Sequence, residues 1–269
     1  MPDVAYEEDV AKGNRFRFGE NWVRFLNILD DARIDCATES LCKMLQVKSL
    51  EGKTFLDVGS GSGLFSLAAR RLGAIVHSFD YDPRSVECTE ELKRRYFPND
   101  PQWKVESGSV LDSNYISSIG AYDIVYSWGV LHHTGNMWHA LTNVATLPSK
   151  EGGRLYVALY NDQGWISSYW RGVKKVYNKN ILGRLSMIII HSPYLFGLRY
   201  ITRFMKGRLE IERGMSIWRD MIDWLGGYPF EVAKPEEIIS CYFEKRYQLI
   251  KLKTCGGRMG CNEYVFERD

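Results

Sequence analysis

Apolar residues recur along the chain in two rhythms. Short apolar or alternating runs at Thr54–Leu56, Ala74–Phe79, Trp103–Glu106, Tyr122–Ser127 and Gly153–Tyr160 read as strands. Helical spacing fills the intervals. Trp22, Phe25, Leu26 and Leu29 form a stripe that starts a helix near Glu20, and Ile34, Ala37, Leu41 and Leu45 form another. Asp82-Pro83 opens a helix running to about Tyr96, with Asp as cap and Pro in first position. A helix over Asn136–Leu147 stops before Pro148, and Pro235 opens one that reaches Arg246. Tyr247–Thr254 and Cys261–Arg268 alternate as two final strands joined at Cys255–Gly260. Residues 1–14 read as a mobile lead. Strands and helices in this alternation predict a doubly wound α/β fold on a mostly parallel sheet.

The first strand runs into Asp57-Val58 and then glycines at 59, 61 and 63, after which Leu64, Phe65 and Leu67 resume at helical spacing. Glycine serves where a backbone turns sharply and where a ligand must lie against the main chain. The free N–H groups of the helix start suit a carboxylate or phosphate. A dinucleotide fingerprint needs its third glycine where Leu64 stands, and a phosphate loop needs a lysine that does not follow these glycines. Asp80 closes the second strand about 20 residues after the first glycine, the distance at which the acid of a βαβ nucleotide unit meets a ribose.

The acid-x-G-x-G-x-G turn at 57–63, FDYDP at 79–83 and YDIVYSWGVLHHT at 122–134 stand in the motif order of class I S-adenosylmethionine (SAM)-dependent methyltransferases. The chain resembles that family over residues 51–160 by motif and 231–268 by order of elements. The resemblance implies a seven-stranded sheet with an antiparallel edge strand, a SAM-binding core over 51–160 and the end of the sheet over 231–269. It implies cofactor contacts at Asp57, Gly59, Ser60, Gly61 and Gly63 in the turn, and at Asp80 on the ribose, with Tyr81 against the adenine. Ser109 and Val110 would hold the adenine edge. Many relatives carry an acid where Ser109 stands, so backbone groups or Asp112 are the alternatives there. Ser127, Trp128 and Gly129 would line the methionine end.

Residues 1–50 would form a helical lid, with Phe18 and Trp22 over the cofactor. His132 and His133 would stand nearest the reacting methyl. One of them is expected to face the pocket, where a neutral imidazole can take a proton. Position favours His132 and chemistry favours His133. The cofactor would leave as S-adenosylhomocysteine (SAH).

Residues 161–230 carry what is individual to this chain. Half of its eight Trp fall here, and Tyr160–Phe230 holds 11 Lys+Arg against 5 Asp+Glu, while the whole chain is only +2. Helical stripes at Trp170, Val173, Lys174 and Tyr177, and at Ile217, Trp218, Met221, Ile222 and Leu225, predict a cap inserted after the fifth strand and covering the substrate. The apolar stretch Leu185–Leu198 is expected to be buried, in preference to docking a lipid-linked substrate or a membrane face. Trp165 and Tyr228 are candidate substrate contacts. Arg213–Ser216 and Asp223–Glu231 resemble signatures of a subset of methyltransferases.

Composition narrows the function classes. A chain of 269 residues with 45% apolar content can hold one large α/β domain with an insertion. Its near-neutral charge argues against a stable nucleic-acid partner. The acidic N-terminus does not read as a signal peptide. No transmembrane segment of 18 apolar residues is present. The six Cys form no C-x-x-C pair and read as reduced thiols of a cytoplasmic protein. His and Cys do not cluster at ligand spacing, so no metal is expected. The expectation is methyl transfer to an O, N or S atom of a small-molecule acceptor, by a monomer or a homodimer. The alternatives are an RNA methyltransferase using the basic cap, a non-catalytic SAM-binding protein, and a nicotinamide dehydrogenase that lacks its third glycine.

Overall fold

The computed structural model describes residues 2–149, 151–198 and 217–269. Its sheet comprises β1 (Thr54–Val58), β2 (Ile75–Asp80), β3 (Trp103–Ser107), β4 (Ile124–Trp128), β5 (Arg154–Tyr160), β6 (Tyr247–Lys253) and β7 (Cys261–Arg268). The order is β3-β2-β1-β4-β5-β7-β6. The first five strands pair in parallel, with Val58 opposite Phe79 and Asp57 opposite Tyr126. The reversed strand is β7, antiparallel to both neighbours and one place in from the edge, so the β6–β7 hairpin closes that side of the sheet.

Both faces of the central strands are covered, which explains their continuous apolar runs. On one face, α3 (Asp31–Leu45), α4 (Leu64–Arg71) and α5 (Pro83–Tyr96) bury Ile34, Leu41, Leu67 and Leu92 against Phe55 and Val76. On the other, α6 (Ser113–Ser118), α7 (Met137–Val144) and α11 (Pro235–Phe243) bury Ile116, Leu141 and Tyr242 against Leu56 and Val157. The cap has its own core. There α8 (Trp165–Lys179), α9 (Ile181–Ser192) and α10 (Ile217–Gly226) gather Trp170, Val173, Tyr177, Met221 and Leu225 beside Phe230.

Two expectations are corrected. Residues 2–11 form a helix, α1, rather than a loose lead. It is fastened by one ring, Tyr6, which is buried and donates to Asp82 Oδ2 at 2.6 Å, and by an Arg17–Glu7 pair at 2.7 Å. The Leu185–Leu198 stretch is not buried as a whole. His191 and Leu195 turn inward, but Leu185, Ile189, Ile190 and Tyr194 are exposed. A helix on the outside of the cap has packing partners on one side only, while α9 carries apolar residues on its outer side as well. Arg213–Ser216 lies outside the described residues, as do the side chains of Ile217 and Trp218.

Leu41→Ala should lower the unfolding free energy of the whole chain by about 2–5 kcal/mol. Leu182→Ala, on the outer side of α9, should stay within about 0.5 kcal/mol. Urea titrations that gave equal losses would put α9 in the core and contradict this packing.

Candidate active site

The carboxyl ends of β1, β2, β4 and β5 meet where the strand order reverses. Gly59, Gly61 and Gly63 leave β1 at φ of 77°, 56° and 78°. A Cβ on Gly59 would lie 2.3 Å from Val130 Cγ1, so glycine lets this turn touch the loop after β4. The N–H groups of Gly59 and Ser60 donate to the Phe79 carbonyl at 2.9 and 3.1 Å, which hangs the turn from β2. Asp57 stands beneath the turn, buried. The indole N–H of Trp103 can only donate, so it donates to Ser78 Oγ at 3.0 Å. Ser78 then donates to Ser66 at 2.7 Å, and Ser66 to Asp57 Oδ2 at 2.5 Å. Burial raises the Asp57 carboxyl to about 7.

Asp80 accepts the Gly61 N–H on Oδ2 and the Asp82 N–H on Oδ1, each at 2.9 Å. A carboxylate offers about four lone-pair positions, so two remain for a ligand. Burial raises this carboxyl to about 6 against the pull of the two N–H groups. Asp82 takes the Gly19 N–H at 2.8 Å as well as the Tyr6 hydroxyl, and caps α5 at the Arg84 N–H, 2.9 Å away.

Gly19 starts α2 (Gly19–Phe25), and residues 15–22 thread between the turn and the cap. The Trp22 indole nitrogen lies 3.1 Å from the place a Gly61 Cβ would take. Arg15 stacks over Tyr81 at 4.9 Å and donates to the carbonyls of His133 and Thr134 at 3.2 and 3.4 Å. On the cap side, Asn21 donates to Asp223 at 2.5 Å, and the Phe16 N–H to the Tyr228 carbonyl at 2.8 Å.

The remaining expected contacts divide. The Ser109 hydroxyl accepts from Leu111 in its own turn, Val110 points into the core, and Asp112 caps α6, which leaves that loop its backbone groups. Ser127 is buried and donates to the Val58 carbonyl at 3.0 Å, tying β4 to β1. Trp128 is half-buried beside it, and Gly129, at φ 76°, has open space where a Cβ would be. Trp165 is 77% exposed and lies outside the small cleft lined by Tyr160, Ser167, Trp170, Trp224 and Phe230, so the structure does not bring it to the site. Tyr228 is half-buried and meets the lid through its carbonyl.

The two histidines lie in η1 (Leu131–His133), a single turn after β4, and hold opposite tautomers. His132 Nδ1 accepts the Tyr160 N–H at 3.3 Å, so its proton is on Nε2, which has no partner among the described residues. His133 Nδ1 lies 2.6 Å from the Pro229 carbonyl. A carbonyl only accepts, so His133 carries its proton on Nδ1 and keeps a lone pair on Nε2. Phe18 packs on this ring, with centroids 4.9 Å apart. Burial pushes both imidazoles down, His133 to about 3, so both are neutral at physiological pH.

Sequence reasoning missed three groups. Arg15 lay inside the RFRFGENW run, whose basic and aromatic character was the available signal. Ser107, in register with Asp80, keeps a buried hydroxyl without a partner among the described residues, and nothing in the sequence marks it. Lys174 fits the apolar stripe of α8, yet its ammonium lies 4.3 Å over the Trp224 ring and 4.9 Å over Phe230 and donates to the Trp224 carbonyl. Burial lowers it to about 7.

Residues 36–188 match the family described as methyltransferase domain. Demethylmenaquinone methyltransferase of Tropheryma whipplei (strain Twist) is 26% identical over 188 residues, 70% of this chain and 71% of that protein. Ribosomal protein L11 methyltransferase of Prochlorococcus marinus (strain MIT 9515) is 47% identical over 62 residues, 22% of this chain and 21% of that protein. Among solved structures, magnesium protoporphyrin IX methyltransferase from Synechocystis PCC 6803, with bound SAH, shares the fold at a TM-score of 0.53. It is 13% identical, and the match covers 88% of this chain and 83% of that one.

Nitrogen-15 NMR of the imidazoles should show one ring protonated on Nε2 and the other on Nδ1, both still neutral at pH 6. A single tautomer shared by both rings, or a titration near the ordinary histidine value of about 6.5, would contradict the assignment.

Proposed function

The chain belongs to the methyltransferase-domain family, and from that premise we propose that it moves the methyl group of SAM to an O, N or S atom of a small-molecule acceptor. The observation that carries the reading is Asp80. It ends β2 beside the glycine turn with two acceptor positions left, the number a ribose diol requires. In this reading the turn amides and Asp80 hold the adenosyl part, with Tyr81 and the backbone after β3 along the adenine. Trp128 and Gly129 face the methionine end, where the missing Cβ leaves room. Trp22 and Phe18 close over it.

SAM supplies a methyl group already activated on a sulfonium. The protein has to align the acceptor in line with it and exclude water. The lid and the cap meet for that purpose through Asn21 and Asp223. His133 is the base for a hydroxyl acceptor. Its low proton affinity is too weak to ionise a hydroxyl beforehand, so Nε2 takes the proton while the new oxygen–carbon bond forms. His132 already carries a proton on Nε2, and its role is to support the neighbouring ring at 4.4 Å between centroids. An amine or thiolate acceptor needs positioning alone.

Calorimetric titration with SAH should give binding that Asp80→Asn weakens about tenfold or more, since two charge-assisted hydrogen bonds are lost. Protonating Asp80 removes the same acceptors. Affinity should therefore be constant above pH 7 and fall about tenfold per unit below pH 6. No SAH binding, or equal binding by Asp80→Asn, counts against the site. With a hydroxyl acceptor, His133→Ala should cut kcat by about 10²–10⁴ and leave SAH affinity unchanged. Unchanged kcat would leave positioning as the mechanism.

A further inference from the structure

The first two cap helices after β5, α8 and α9, carry cations without acids. Residues 163–198 hold no Asp or Glu but five Lys and Arg, of which Arg171, Lys175, Lys179 and Arg184 are exposed, in a protein with 33 acids in 269 residues. An ordinary solvated face mixes both signs, so this stretch is not merely soluble surface. In the same region α9 turns apolar side chains outward. Leu182 is 74% exposed and Ile189 is 70%, and with Leu185 they share one helix face, flanked by exposed Ile181 and Ile190. The helix is held from inside, where Met187 and Ile188 reach the cap core and the His191 ring meets the Tyr169 hydroxyl at 2.7 Å. The outward residues therefore stand on a fixed platform. On α8, Lys175 and Lys179 are exposed one turn apart.

We propose that the outer face of α9, with the exposed Arg171, Lys175, Lys179 and Arg184 of α8 and α9, docks the protein on an anionic phospholipid membrane. Exposed aliphatic side chains enter the acyl boundary, and the lysines meet lipid phosphates. Tyr194, exposed beyond the end of α9, has the amphipathic ring that membrane interfaces favour. At 12 residues α9 is too short to span a bilayer, which needs about 20, and no described helix is long and apolar enough to cross one. A nucleic acid has no use for exposed Ile and Leu, because its bases are held by stacking aromatics. A second copy of the chain would bring one basic surface against another. The inference rests on the cap surface and not on methyl transfer. It would place an apolar acceptor within reach of the cap.

The test is flotation of the full chain with phosphatidylcholine vesicles, with and without phosphatidylglycerol. The chain should float with the anionic vesicles about tenfold more than with neutral ones, and less at high salt. Leu182→Asp with Ile189→Asp should abolish flotation while SAH binding is retained. Leu182→Ser with Ile189→Ser provides a milder version should the acids disturb the fold. Lys175→Glu with Lys179→Glu should remove the preference for phosphatidylglycerol. Absence of flotation, flotation unchanged in the serine variant, or retention on a single-stranded RNA column without flotation would overturn the proposal. A chain that floats but does not bind SAH would sink the methyltransferase reading alone.

Discussion

Two carboxylates at the end of β2 hold four parts of the chain in one arrangement. Asp80 takes an N–H of the glycine turn, while Asp82 caps α5 and also receives α2 through Gly19 and α1 through Tyr6. A buried carboxylate is tolerable only when N–H and O–H groups surround it, so each of these segments is needed by the charge it serves. Gly19 can come this close because it lacks a side chain, since a Cβ there would stand 2.5 Å from Arg84 Cβ. Cofactor turn and lid thus share one electrostatic anchor. Hydroxyls arriving at Asp80 would arrive next to the residues that fasten the lid.

The same economy governs the end of β4. Each histidine is oriented by a backbone group from another element, His132 by the Tyr160 N–H of β5 and His133 by the Pro229 carbonyl after α10. Neither imidazole has a carboxylate partner among the described residues, and burial keeps both neutral. The cap therefore does more than cover the site. Its return to the sheet fixes which nitrogen of His133 can accept a proton. Lys174 supports that return by bonding the Trp224 carbonyl from beneath the Trp224 and Phe230 rings.

Much of this was legible in the chain. The strands through β5, the glycine turn, Asp80 and the helix cap at Asp82 follow from local periodicity and spacing, because each depends on neighbours a few residues away. What depends on distant partners was not. The α1 helix has no apolar stripe, and its buried tether is a tyrosine that meets a residue 76 positions on. The difference between His132 and His133 is set by a carbonyl 96 residues beyond His133. The sequence of α9 reads as core because its Ile and Leu spread beyond a single face, and only packing shows that one side has no neighbour. Trp165 and Trp170 look alike in sequence, yet α8 turns one outward and the other into the cap core.

Every role given to these residues depends on where the cofactor lies. A crystal structure of the full chain with SAH would decide it most directly. The expected result is both ribose hydroxyls on Asp80, the sulfur beside Gly129, and His133 Nε2 on the side from which an acceptor would approach. Adenosine bound away from the glycine turn, or a sulfur screened from His133 by the sheet, would contradict it.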